Sequence, residues 1–382
     1  GPRRLQVVPS HRLIAKVTIR GKSGSGRPLA SERDCPTDRL TRLASSTPGE
    51  ASPIDSLPWL PMGTKSAFVF HDTRWLVAEP EGWYRREFLT EEEMFEPIWS
   101  LTTGSGLTVA ATVGQLVIID FESWPAARGA DDSATSTTTF LETSIAAMRA
   151  RVQIANALAL AIHSATVTVQ NLSTGGFRIT HEQLLHFHSS GNGISNSSQF
   201  SRLPGRGVLM PRHRSGVIAS EVLQRACEIL DEVVTHEDER TLDLVELLNT
   251  SLVACRGHDF DLATVAAWSI CEAVLGTALN RYTREHARAH DLLVNRARRD
   301  QWDALNAATT TEILSLAGVL SSDLDQRLRS TRVARNKWIH AGTPVSYRVA
   351  TDAVQLAADM LARFGWPCIT VSPSVRVQGL EI

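Results

Sequence analysis

The stretch RVARNKWIHAGTP, residues 332–344, decides how the second half of this chain is read. It places Arg335, Asn336, Trp338 and His340 on a little more than one helical turn and then breaks at Gly342 and Pro344. Outward from it the pattern is helical on both sides. Downstream, a helix starting near Ser346 puts Val349, Ala353, Leu356, Met360 and Phe364 on one face and stops at Gly365 and Pro367. Upstream, apolar periodicity predicts helices over about 322–341, 300–318, 238–256 and 217–235. A further helix begins at a cap supplied by Asp259 or Asp261 and runs to about 284. Six helices in this span make a compact bundle.

The first half reads differently. SAFVFHD, RWLVAEP, GLTVAATV and GQLVIIDF have the β-branched and aromatic content of strands, with a hairpin turn centred on Gly114. A helix is expected over 139–162, after which ATVTVQNL and GGFRIT again resemble strands. Residues 3–60, rich in Gly, Ser, Pro and Arg, read as loops. The GKS at 21–23 lacks the Gly that a phosphate loop needs at position 16, which is Lys16. The expected organisation is α+β: a β-rich region over 3–190, a linker over 191–216, a helical bundle over 217–368 and a tail over 369–382.

Composition narrows the function classes. The chain of 382 residues is 43% hydrophobic and 21% charged, the balance of an ordinary soluble protein. A net charge of −2 supplies no global basic field, so contact with nucleic acid would have to come from a local patch. Five cysteines at 35, 227, 255, 271 and 368 form no CxxC pair, which points to a reducing, cytoplasmic setting without a zinc ribbon. The leading Gly1-Pro2 without Met reads as the scar of tag removal, and no signal peptide is expected. Residues 262–279 carry one charge, Glu272, and approach spanning length. A carboxylate mid-segment favours a buried core helix over a membrane span.

The motif resembles that of HEPN domains, helical bundles of prokaryotic toxins, antiphage systems and RNA-guided ribonucleases, which carry an Arg, a short spacer and a His. Four other Arg/His pairs occur here: Arg4 with His11, Arg206 with His213, Arg281 with His286 and Arg284 with His290. Only Arg335 is followed by the small polar residue the family uses, Asn336, and only it lies between two long helices at the end of a bundle. WSICEAVLG, residues 268–276, looks like the early helix of Apea-like HEPN domains, with its aromatic and its buried Glu. The likeness spans roughly 217–368, and a β-rich half placed before it resembles the layout of ApeA-type antiphage proteins. The resemblance implies a homodimer in which two motifs share one cleft. It also implies metal-independent RNA cleavage, with no cofactor, in antiphage defence or toxin-like growth arrest.

The chemistry of the residues agrees with that implication. RNA is cleaved without metal when a base takes the 2′-OH proton, the oxygen attacks phosphorus, and an acid protonates the 5′ oxygen, leaving a 2′,3′-cyclic phosphate and a 5′-OH. His340 can shuttle protons near neutral pH, Arg335 can hold phosphate oxygens, and Asn336 can hold phosphate or orient the His. Arg335 and His340 sit about 140° apart around one helix and could converge if the site forms across a two-fold dimer, the arrangement that the resemblance implies. Glu272 is expected to be buried, with Arg335 as its partner. The structural alternative is that this pair fixes the bundle and that His340 only answers the helix dipole. Trp338 and Ile339 are expected in the core.

Weaker signals complete the reading. Arg281, Arg284, Arg288 and Arg299 fall near one helix face and, with Lys337, could follow an RNA backbone such as that of tRNA, although a solvated face is the simpler reading. HEQLLHFH at 181–188 misses the zinc-protease spacing by one residue and reads as a polar loop. Asp120 and Glu122 share a strand face, where solvated carboxylates are common. Beside the endoribonuclease stands a non-catalytic HEPN module that binds RNA or a partner and dimerises. A third reading makes the N-terminal half the active part. In the first reading that half senses an unknown trigger or selects substrate.

Overall fold

Strands form where β-branched and aromatic residues alternate, and those of the main sheet pair antiparallel. The computed structural model describes residues 62–70, 75–77, 95–128, 137–174, 176–188, 194–195, 216–290, 305–373, 376–377 and 380–381. The main sheet contains β1 (Met62–Val69), β3 (Pro97–Thr102), β4 (Thr108–Thr112), β5 (Leu116–Asp120), β6 (Leu185–His188) and β7 (Ile194–Ser195), in the order β3-β4-β5-β1-β6-β7. A short β2 (Trp75–Leu76) pairs parallel with β8 (Val217–Ile218), and β9 (Arg376–Val377) pairs with β10 (Leu380–Glu381). Alternation along β1 sends Phe68 into the main core. Ala67 joins Leu116 and Leu185 in a smaller cluster on the opposite face.

Seven helices follow among the described residues: α1 (Thr137–Gln170), α2 (Ser220–Val234), α3 (Thr241–Arg256), α4 (Phe260–Ala289), α5 (Ala307–Leu316), α6 (Ser322–Ala341) and α7 (Tyr347–Arg363). The fold class is α+β, as the sequence indicates. The six helices of the second half lie close to their expected spans. Asp259 caps α4, its carboxylate accepting from the Leu262 N–H at 3.1 Å.

Helix α1 differs most from expectation. It continues through ATVTVQ to Gln170 instead of giving way to a strand. Thr166 Oγ1 donates to the Ile162 carbonyl and Thr168 Oγ1 to that of Ser164, so the hydroxyls bond one turn back along the helix. Ala165 and Thr166 are fully buried, and that packing outweighs the strand preference of the Thr/Val run. The helix stops at Asn171, whose φ of 52 is one that Asn tolerates. GGFRIT forms no strand among its described residues.

Between residues 154 and 165, α1 is buried on every side. Ile154, Leu158, Leu160 and Ile162 alternate with Ala155, Ala157, Ala159, Ala161 and Ala165, all at 2% exposure or less. One core therefore runs from the sheet residues Val109, Val117 and Ile119 through α1 to the bundle residues Leu230, Leu248 and Val274. The described residues on either side of the expected linker at 191–216 share this core and belong to one unit spanning 59–382. The expected tail also packs. Ile369 and Val371 are buried, the Thr370 N–H donates to Ser164 Oγ at 2.9 Å, and the Ser372 N–H donates to His163 Nε2 at 3.2 Å. Residues 3–60, Arg4, His11, Arg206, His213 and Arg299 lie outside the described residues. Both α1 and α4 are long and apolar enough to cross a membrane, but most of each apolar window is buried inside the molecule.

Four of the polar side chains buried on α1, Arg151, Asn156, His163 and Ser164, tie down other segments. The Arg151 guanidinium donates to the Ala127 carbonyl and to Ser66 Oγ, at 2.7 and 3.0 Å, and lies over the Phe121 ring; burial lowers its pKa to about 10. Asn156 Oδ1 accepts from the Ile179 N–H at 2.7 Å, and its Nδ2 donates to the Ile179 carbonyl at 2.9 Å. His163 Nδ1 lies 3.0 Å from Thr174 Oγ1. Because its Nε2 accepts from Ser372, His163 is the neutral tautomer with the proton on Nδ1.

Asn156→Ala leaves the Ile179 N–H and carbonyl buried without partners and is expected to cost about 3 kcal/mol in denaturant unfolding. A pH series gives a second check. Burial lowers the pKa of both His163 and His186 to about 4, below the unfolded value of about 6.5. The unfolded chain therefore binds their protons first. Stability is full above pH 6.5 and falls as the pH drops through about 4, by on the order of 3 kcal/mol for each His. His163→Gln is expected to flatten part of that slope.

Candidate functional site

Helix α6 begins at Ser321, which accepts from the Leu324 N–H, and ends at Gly342, which adopts left-handed φ 62, ψ 21. The Gly342 N–H donates to the Trp338 carbonyl at 2.8 Å and the Thr343 N–H to that of Lys337 at 3.3 Å. The segment that follows is clamped, since the Val345 N–H donates to the Asp261 carboxylate at 2.8 Å. Asp261 is therefore not the cap of α4 but the tie that holds the end of the motif against the start of α4.

The charges of α6 divide into two halves. In the first, Arg327 pairs with Asp359 at 2.7 Å and Asp323 at 3.7 Å, and Arg329 pairs with Asp325 at 2.9 Å. In the second, Arg332, Arg335 and Lys337 make no ion pair among the described residues. Arg335 follows Leu328 by seven residues and so falls on the buried side of the helix with Leu324, Leu328 and Thr331. It is half-buried. Its Nη1 donates to Asn336 Oδ1 at 3.0 Å, while its buried Nε has no hydrogen-bond partner. The guanidinium is thus held by a neutral amide, with a donor left over and no ion pair to a carboxylate among the described residues. That arrangement suits an incoming anion better than a finished structural pair.

His340 is exposed in the last turn, about 140° around the helix from Arg335. One chain does not bring the two side chains onto a common face. Asn336 lies between them, half-buried, with Arg332 one turn earlier on the same side. Arg332 is the member of this cluster that the motif alone does not single out; its four-residue spacing from Asn336 is the signal that finds it. Val333 at 47% and Ile339 at 44% exposure border the same surface. Ile339 therefore corrects the core expectation, while Trp338 packs against the core as expected.

Glu272 corrects a second expectation. It is exposed, because the buried stripe of α4 runs through Ala267, Cys271, Val274, Leu275 and Ala278 and leaves positions 272 and 276 facing out. Glu272 and Arg327 both act on the buried Cys271 thiol, whose pKa desolvation raises to about 12. Glu272 forms no ion pair with Arg335 among the described residues. It borders a groove of about 340 Å³ between α4 and α5, together with Gly276, Asn280, Asn306 and Thr310.

The arginines of α4 also lie apart from the motif. Arg281, Arg284 and Arg288 are exposed, and Arg281 Nη1 donates to the Phe364 carbonyl at the end of α7. Since Asp261 marks the motif's end of α4, Arg284 lies about 35 Å further along. Lys337 is exposed on α6 itself.

In the sheet, His186 is buried on β6, not in a polar loop, with Nδ1 3.0 Å from Ser66 Oγ. His181 meets it ring to ring at 5.9 Å, and no group of three metal-ligating side chains forms among the described residues. Asp120 is not half of an acid pair: Phe121 intervenes, and Asp120 Oδ1 accepts from the Glu122 N–H at 3.1 Å in a tight turn.

Compared with protein-family models, curated proteins and solved structures, the chain matches none.

Nothing lies within 4 Å of a Cβ placed at Gly342, so Gly342→Ala meets only the conformational penalty of its φ. Thermal unfolding is expected to show a loss of about 1 kcal/mol without a change in helix content.

Proposed function

We propose that this chain is a metal-independent endoribonuclease of the HEPN type, acting as a homodimer in the cytoplasm in antiphage defence or growth arrest. The observation that carries the proposal is Arg335: its guanidinium donates to Asn336, keeps a buried Nε without a partner, and forms no ion pair among the described residues. In an RNA complex that fork would take the non-bridging oxygens of the scissile phosphate and stabilise the charge that builds on phosphorus. His340, exposed at the end of the same helix, would move the protons, taking one from the 2′-OH or giving one to the departing 5′ oxygen. The 140° between the two residues is compatible with a cleft shared across a two-fold axis, in which each chain would supply an Arg and a His. Exposed Val333 and Ile339 give the partner chain an apolar rim beside that cleft. Arg332 and Lys337 would add backbone contacts.

The second reading is a non-catalytic module that dimerises and binds RNA or a protein. It is favoured by the same apolar rim and by the lack, among the described residues, of a hydrogen bond that orients the His340 ring. The test compares wild type with His340→Ala on total RNA and defined tRNA in EDTA, with end-group analysis of the fragments. The nuclease reading expects cleavage with cyclic phosphate ends, reduced on the order of 100-fold or more in the variant. RNA retention by both proteins without cleavage selects the binding module. Equal cleavage by both removes His340 from the chemistry.

A further inference from the structure

At the far end of α4 from the motif, His286 and His290 stand one turn apart on the same face, with ring centroids 4.3 Å apart. Both are exposed, and no ring nitrogen of either is engaged by another group of the protein among the described residues. Tyr282, one turn earlier, stacks on His286 at 5.8 Å and 23° and walls one side. We propose that this pair is a binding site for a divalent transition cation of the zinc or nickel class, held by two imidazoles.

The geometry of a helix explains the fit. Residues four apart are neighbours on its surface, which is how paired histidines in zinc proteases reach one ion. An ion bound at about 2.1 Å by each nitrogen places the two nitrogens about 3 Å apart. Rings already 4.3 Å apart reach that by rotation of their side chains.

Electrostatics point the same way. The helix C-terminus, with its unsatisfied carbonyls, favours positive charge, which a bound dication supplies. Arg284 and Arg288 are displaced from His286 by about 160° around the helix and project away from the site. No third His, Cys, Asp or Glu joins the pair among the described residues, so water fills the remaining positions. Imidazole donors with water select zinc, nickel or copper over magnesium or calcium, which prefer oxygen ligands.

The experiment titrates the full chain with Zn²⁺ at neutral pH against a chromophoric chelator and repeats it with Ni²⁺. Wild type, His286→Ala, His290→Ala and the exposed control His181→Ala are compared, with helix content checked by circular dichroism. The expected result is micromolar binding in the wild type and the control, weakened about tenfold or more by each alanine at 286 or 290. Wild-type affinity in either of those variants, or no micromolar binding in the wild type, overturns the proposal. The outcome is independent of RNA cleavage, which the proposed chemistry of His340 carries out in EDTA.

Discussion

Helix α1 crosses the middle of the molecule with no solvent-facing side between residues 154 and 165, and the rest of the structure depends on that burial. A helix buried all round cannot leave polar side chains unsatisfied. Arg151, Asn156, His163 and Ser164 therefore become fixed points. Arg151 holds the sheet through Ser66, Asn156 holds the segment at Ile179, and His163 and Ser164 hold the C-terminal residues 370–372. Asn249 on α3 joins the same network by donating to Asn156 Oδ1 and to the Phe177 carbonyl. The alanines between these anchors let helices approach from one side and the sheet from the other. A larger side chain there would push a layer away.

The bundle beyond α1 places the RVARNKWIHAGTP helix with its charged end outward. The tie from Asp261 to Val345 fixes where that end sits, and Gly342 fixes where it stops. The charges of the first half of α6 are taken up in pairs, with Asp359 of α7 and within α6 itself, while Arg332, Arg335 and Lys337 in the second half form no ion pair among the described residues. A local positive surface thus arises on a chain whose charges nearly balance. Local fields of this kind, rather than net charge, govern contact with phosphate.

Joining the two halves through a shared core has a consequence for regulation in the proposed nuclease. A sensing half and a catalytic half that share one close-packed interior cannot move independently without disturbing α1. A signal received in the sheet would reach the bundle through changes in α1 packing rather than through a hinge at a linker.

Much of this was legible in the sequence. The periodicity of apolar residues and the cap and stop residues marked all six C-terminal helices, because those signals are local: Ser321 and Asp259 bond to N–H groups three residues on, and Gly342 supplies a backbone angle that few residues accept. The Arg335, Asn336 and His340 cluster stood out for the same reason. What the sequence alone could not decide was every question of what lies across a gap. ATVTVQ favours a strand by propensity, yet it is helix because Ala165 and Thr166 are buried between layers. A lone Glu272 in an apolar run looked buried, yet the stripe that faces the core leaves it outside. His186 looked like part of a polar loop, yet pairing of β6 with β1 buries it against Ser66. Residues 191–216 read as a boundary, yet the core runs past it. Local chemistry fixed the elements and their ends. Long-range packing chose which face each element buries and which charges find partners, because burial depends on neighbours distant in the chain.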